Sequence, residues 1–282
     1  MAPATNFIKS TPRVVANEDE QEDDYEMVSV TVIPPGTEVF NTYGETLTNA
    51  QLLTQYGFIL DANENDVLTW DIEQVLESIS PGADERMLVH DVSNIVLTWR
   101  RLCQKNWNLA SGSGLLYMAD TETGWGYSLT LDGDGKISYP LWIIVALLSL
   151  SRTDAFSSVE DSQSVLIHLR SLLDVQCLAE SHLGTEEELE DIAINLNIYE
   201  RTLLQELKQV CQLMIRLCTD RKSKTGHIGF SAMGSDVGKY FDALSDDRPR
   251  TKMALSIVLS ELSILNNCQA TWSELEHIIV RA

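Results

Sequence analysis

The pattern of apolar and polar positions changes character once along the chain. Residues 1–17 show no periodicity, and Glu18–Glu26 is a run of mutually repelling acids, which together predict a disordered acidic segment over 1–26. Met27–Ile33 then alternates, with Val28, Val30 and Val32 on one face, and its β-branched content predicts a strand. Pro34-Pro35-Gly36 stops that strand with a turn. Thr37–Phe40 reads as a second short strand, and Asn49–Gln55 has room for one or two helical turns.

From about Asp66 the spacing becomes helical. Ile72, Val75, Leu76 and Ile79 step by three and four, as do Leu88, Val92, Ile95, Val96, Trp99, Leu102 and Cys103. Side chains at these spacings share one face of an α-helix, so each stripe buries one side. Leu141–Leu150 is apolar all round apart from one serine and predicts a fully buried helix. Val165, Leu166, Leu169, Leu172, Leu173 and Cys177 form a further stripe. The longest pattern, Glu186–Cys218, follows a capping box of Thr185 with Glu188 and carries Leu189, Ile192, Leu196, Tyr199, Leu203, Leu207, Val210, Met214 and Leu217. A last helix is predicted near Thr251–Leu265, after the break at Arg248-Pro249. The expected fold class is mainly α: a small β-rich start, then a large all-α remainder, with no internal repeat of fixed period.

Composition narrows the function classes. Of the 282 residues 44% are hydrophobic, enough for a packed core and against global disorder. The net charge is −22; residues 1–26 hold seven acids and two bases, so most of the negative charge is spread over the rest of the chain. An acidic surface repels phosphate backbones, which disfavours direct nucleic-acid binding, and it attracts basic partners such as Lys/Arg-rich tails. The same charge also suits an ordinary soluble surface. Five widely spaced cysteines with no C-x-x-C pair suit reduced thiols of the cytoplasm or nucleus better than a disulfide framework or a zinc site. Residues 1–17 contain no apolar stretch of signal-peptide type. The longest apolar run, Leu141–Leu148, extended to Leu150 by one serine, is far short of the ~20 residues of a membrane span.

The segment 33–58 reads IPPGTEVFNTYGETLTNAQLLTQYGF. A strand and a turn with Gly36-Thr37-Glu38 lead to Asn41-Thr42-Tyr43-Gly44, then to Asn49-Ala50, Leu52-Leu53 and Tyr56-Gly57-Phe58. That order and spacing resembles the closing segment of the SET domain in protein-lysine methyltransferases of the Rubisco large-subunit and ribosomal-protein type, as distinct from the histone SET enzymes. Residues 200–218, Phe241–Leu244 and Arg250–Leu265 resemble the C-terminal substrate-binding domain of the same family. The resemblance covers roughly residues 27–265. It implies a C-terminal part of a SET domain over 27–65 and an α-helical substrate-binding domain over 66–282.

The resemblance further implies methyl transfer from S-adenosyl-L-methionine to a lysine of a protein substrate. Such an in-line displacement needs a neutral amine, a narrow channel and oxygen atoms along the methyl path. Tyr43 would take the catalytic tyrosine role, its hydroxyl orienting the lysine nitrogen. Tyr56 and Phe58 would line the lysine channel and the cofactor edge, and Asn41 and Gly44 would shape the loop that holds Tyr43. A tyrosine behind a strand is more often a half-buried packing residue; the following Tyr56-Gly57-Phe58 and the helical region behind it set Tyr43 apart. By charge, a basic substrate such as a ribosomal protein or a histone fits.

Two parts of the family pattern are missing. No glycine-rich turn for S-adenosylmethionine precedes Tyr43, and there is no Asn-His dipeptide in the chain. The G-x-G pairs Gly112/Gly114, Gly124/Gly126 and Gly133/Gly135 all fall downstream. The expectation is either the end of a longer protein or a true short form; in both cases this polypeptide lacks most of the cofactor pocket and alone transfers no methyl groups. The rival reading is a non-catalytic protein-binding module derived from such an enzyme. Asp132-Gly133-Asp134-Gly135-Lys136 looks like the start of an EF-hand but has Ile137 and Ile143 where the loop needs Gly and Glu, so it reads as a turn. The five histidines are scattered without H-x-x-x-H spacing, so no metal site is expected.

Overall fold

The computed structural model describes residues 8–12, 25–29, 32–37, 46–79, 113–117, 129–150, 162–183, 198–225 and 237–281. The chain divides into two compact units, Met1–Leu47 and Thr48–Ala282. The stripe predicted over 88–103, the capping box at Thr185 and residues 38–40 of the second short strand lie outside the described residues.

In the first unit β1 (Ile8–Pro12) pairs antiparallel with β2 (Tyr25–Ser29), Ile8 opposite Ser29 and Pro12 opposite Tyr25. Part of this ladder falls within residues 1–26. A β-ladder is made from backbone N–H and C=O groups, so a partner strand can supply order that no side-chain alternation announces. The turn expected after the strand is present: the Thr37 N–H donates to Pro34 O at 3.2 Å, and Gly36 supplies the left-handed position at φ +79°.

The second unit is mainly helical. Its elements in order are α1 (Asn49–Tyr56), β3 (Leu68–Trp70), α2 (Ile72–Ile79), β4 (Leu116–Tyr117), β5 (Leu129–Leu131), β6 (Ile137–Ser138), α3 (Tyr139–Leu150), α4 (Ser162–Glu180), α5 (Ile198–Thr225), α6 (Val237–Ala243) and α7 (Pro249–Arg281). The four short strands form one sheet in the order β3-β5-β6-β4, antiparallel except for the β4–β6 pair. The region read as all-α therefore carries a small sheet. Strands of two or three residues are too short for a period of two to register.

Helix α3 is buried at every position but Pro140, as its uniform apolarity requires. It packs on α5, which also meets α2, α4 and α7. A buried polar chain fixes α3 to α4: Trp142 Nε1 donates to Gln176 Oε1, and Gln176 Nε2 donates to Glu180 Oε1, both at 2.7 Å. Glu180 also accepts from Ser113 Oγ and from the Gly114 N–H, each at 2.7 Å, so the segment entering β4 is tied to the end of α4. Helix α7 runs sixteen residues beyond the predicted end at Leu265, because the stripe continues through Cys268, Trp272, Leu275 and Ile279 while Asn266 and Asn267 face solvent. Pro249 opens it, where no intrahelical N–H is needed.

Cys211, Cys218 and Cys268 are buried free thiols on α5 and α7. Burial pushes the Cys211 thiol up, and pushes Cys177 up to about 11. No helix among the described residues is long and apolar enough to cross a membrane.

The Asp132–Lys136 segment is the turn that joins β5 to β6. Asp132 Oδ1 accepts the N–H of Asp134 at 3.0 Å and of Lys136 at 2.8 Å, so the carboxylate that would begin a calcium loop caps its own turn. Gly135 takes φ +86°, and a Cβ there would stand 2.9 Å from the Cys268 backbone N. Gly135→Ala should therefore cost about 1–3 kcal/mol in urea unfolding, from left-handed backbone strain and displacement of α7. Gly133→Ala is the control: its Cβ would meet Asp66 O at an ordinary 3.6 Å and the loss should be much smaller.

Candidate functional site

The Tyr56-Gly57-Phe58 turn is built from the start of α1. Thr48 caps the helix: its Oγ1 accepts from the Gln51 N–H at 3.2 Å, and its own N–H donates to Gln51 Oε1 at 2.9 Å. The helix stops at Gly57, whose φ of +78° lets its N–H reach Leu52 O and Leu53 O at 3.1 Å each. The reversal at Gly57 brings Tyr56 and Phe58 together, ring centroids 6.3 Å apart and planes inclined by 36°. Tyr56 is 46% exposed and Phe58 half-buried, so the two rings form an open aromatic edge.

What holds this edge in place is Asn49, the first residue of α1, only 6% exposed. Its Nδ2 donates to Leu60 O at 2.9 Å and to Asp66 Oδ2 at 2.8 Å. Its Oδ1 accepts the Leu60 N–H at 2.8 Å and Asn63 Nδ2 at 3.5 Å, and its backbone N–H donates to Asp66 Oδ1 at 2.6 Å. The side-chain amide thus spends both donors and its acceptor on the loop that follows Phe58. The Asp66 carboxylate sits at the helix N-terminus, where negative charge is favoured. Helix α1 rests in turn on α7.

Of the residues predicted from sequence, Tyr56 and Phe58 are brought together; Asn41, Tyr43 and Gly44 lie outside the described residues. Sequence reading missed the roles of Asn49 and Asp66. Seventeen residues separate them, and the one available signal was an asparagine at the start of a helix that a threonine already caps.

Among the described residues of the second unit, one cavity of about 540 Å³ lies between α2, α5 and α7, and another of about 330 Å³ lies between the 59–66 loop, Gly133 and the serines of α7 at 256, 260 and 263. Neither is lined by Tyr56 or Phe58.

Comparison with known proteins adds a class. No family model matches this chain. Part of the chain is similar to N-lysine methyltransferases. Over 109 residues it is 33% identical to N-lysine methyltransferase SETD6 of Homo sapiens, covering 37% of this chain and 22% of that protein. The SETD6 of Bos taurus is 32% identical over 109 residues, with 37% and 23% covered. The chain matches less than a quarter of the length of these curated relatives.

Replacing Asn49 by alanine leaves the Leu60 N–H and Asp66 short of partners in a part-buried site, at a cost of about 2–3 kcal/mol. The expected result is early hydrogen exchange at the Leu60 amide, with the amides of α5 protected as before; uniform loss of protection would instead place Asn49 in the global core.

Proposed function

We propose that this chain takes part in S-adenosylmethionine-dependent N-methylation of protein lysine, as the tyrosine end of a SET domain followed by a helical docking region. The observation that carries the reading is the 109-residue similarity to N-lysine methyltransferase SETD6. The geometry of the motif supports it: a capped helix, a left-handed glycine and a buried asparagine present two aromatic rings side by side at the solvent edge.

In this reading Tyr56 and Phe58 flank the methylene stem of the substrate lysine and exclude water from it, and Tyr43 takes the catalytic tyrosine role. Tyr43 orients the amine so that its lone pair points along the methyl path. S-adenosylmethionine would supply the methyl group as a sulfonium. The net charge of −22 favours a basic substrate protein, such as a ribosomal protein or a histone, met in the cytoplasm or nucleus.

A second reading is a non-catalytic protein-binding module derived from such an enzyme. It is favoured by the net charge of −22, which draws a basic partner to the surface without any methyl donor. Fluorescence anisotropy with basic histone-tail peptides separates the two. A lysine channel should prefer a peptide with one central lysine over the same peptide with arginine there, and Tyr43→Phe or Phe58→Ala should erase most of that preference, about tenfold or 1.4 kcal/mol. Equal binding of both peptides by the parent chain would remove the lysine-channel reading and leave the binding module.

A further inference from the structure

The cavity of about 330 Å³ begins one residue past Phe58, at Ile59 and Leu60, and reaches across to the serines of α7. Its volume lies at the small end of the roughly 300–1,000 Å³ of ligand pockets. Part of the lining is apolar: Ile264 is 5% exposed, Ile59 is half-buried and Leu60 is 50% exposed. Leu60, two residues past Phe58, thus carries the run of exposed apolar side chains from the aromatic edge into the cavity.

The polar part of the lining has charge of one sign. Asp61 and Asp66 line the cavity, and no lysine, arginine or histidine does. Asp66 is half-buried, and its two oxygens accept from the neutral Asn49, at 2.6 and 2.8 Å. Neither carboxylate pairs with a cation among the described residues. On the facing wall Ser256 Oγ donates to Lys252 O at 3.1 Å and keeps its own lone pairs. The half-buried Ser260 hydroxyl has no hydrogen-bond partner among the described residues.

This lining selects among occupants. Two carboxylates without a countercharge repel an anion, and a neutral group leaves them uncompensated. The aliphatic floor of Ile59, Leu60 and Ile264 offers nothing to a bare metal ion, which takes oxygen ligands. A long basic side chain uses both parts: its methylenes lie on the floor while its charged end, all donors, meets the carboxylates and the serine oxygens. We propose that this cavity takes an arginine or lysine side chain that flanks the target lysine in the substrate protein. The proposal rests on the lysine-methylation reading for where the substrate lies, and on the cavity itself for the charge that it takes. The net charge of −22 draws such a basic segment toward it.

The test is a titration of the full chain with N-acetyl-argininamide, followed by NMR at the Leu60 and Gly133 amides. A saturable shift is expected at both, with N-acetyl-citrullinamide, the uncharged analogue of the same length, binding about tenfold more weakly. Asp61→Asn, at an exposed position that leaves the Asn49–Asp66 pair intact, should weaken the arginine probe roughly fivefold. Ser260→Leu fills the cavity from α7 and should abolish the shift. No saturable shift in the parent chain, equal binding of the citrulline probe, unchanged binding by Asp61→Asn, or a response to calcium chloride with none to the arginine probe would each overturn the proposal. The shift is read with a probe that contains no lysine, at residues other than Tyr56 and Phe58. It therefore fails separately from the lysine preference that tests the methyl-transfer reading.

Discussion

Helices α5 and α7 close on each other along a seam in which Leu207, Val210, Met214 and Leu217 from one side and Leu265, Cys268, Trp272 and Leu275 from the other are almost wholly withdrawn from water. Burying each aliphatic side chain of this size is worth about 1.5–3 kcal/mol, so the seam outweighs any single polar contact in the second unit. The neighbouring Cys218 thiol and burial together push the Cys268 thiol well above its usual range. Much that bears on function leans on this pair. The β5–β6 turn presses Gly135 onto Cys268, α1 rests on α7, and the larger cavity opens where α5 and α7 part beside α2.

On that base the polar contacts do specific positional jobs. The Asn49 amide converts a loop into a fixed extension of α1, and so decides where the Tyr56 and Phe58 rings stand. The Trp142–Gln176–Glu180 chain does the same for the segment entering β4. In both cases a buried polar group is hydrogen-bonded, and removing it would strand a partner, which is why such groups locate a segment more sharply than apolar packing does.

Long amphipathic elements were legible in the sequence: the stripe from Ile72 to Ile79, the all-apolar helix through Leu150 and the pattern from Val165 to Cys177 each became a helix. The turns at Gly36 and at Asp132–Lys136 were legible because glycine and aspartate carry local backbone chemistry. What escaped was whatever depends on distant partners. The β3-β5-β6-β4 sheet joins pieces too short to show a period, Ile8–Pro12 gains its strand from Tyr25–Ser29, and α7 continues past two asparagines because its buried face does. At the candidate site the Tyr56-Gly57-Phe58 edge could be read from the motif, but the Asn49–Asp66 clamp that supports it could not, since nothing local links residues seventeen apart.

As proposed, the chain turns its Tyr56–Phe58 edge toward a substrate lysine but does not by itself hold the methyl donor. Isothermal calorimetry of the chain with S-adenosylmethionine tests that division most directly. No detectable binding is expected at concentrations where a complete cofactor site would saturate; micromolar binding, weakened in Tyr43→Phe, would contradict it and make the polypeptide a methyltransferase as it stands.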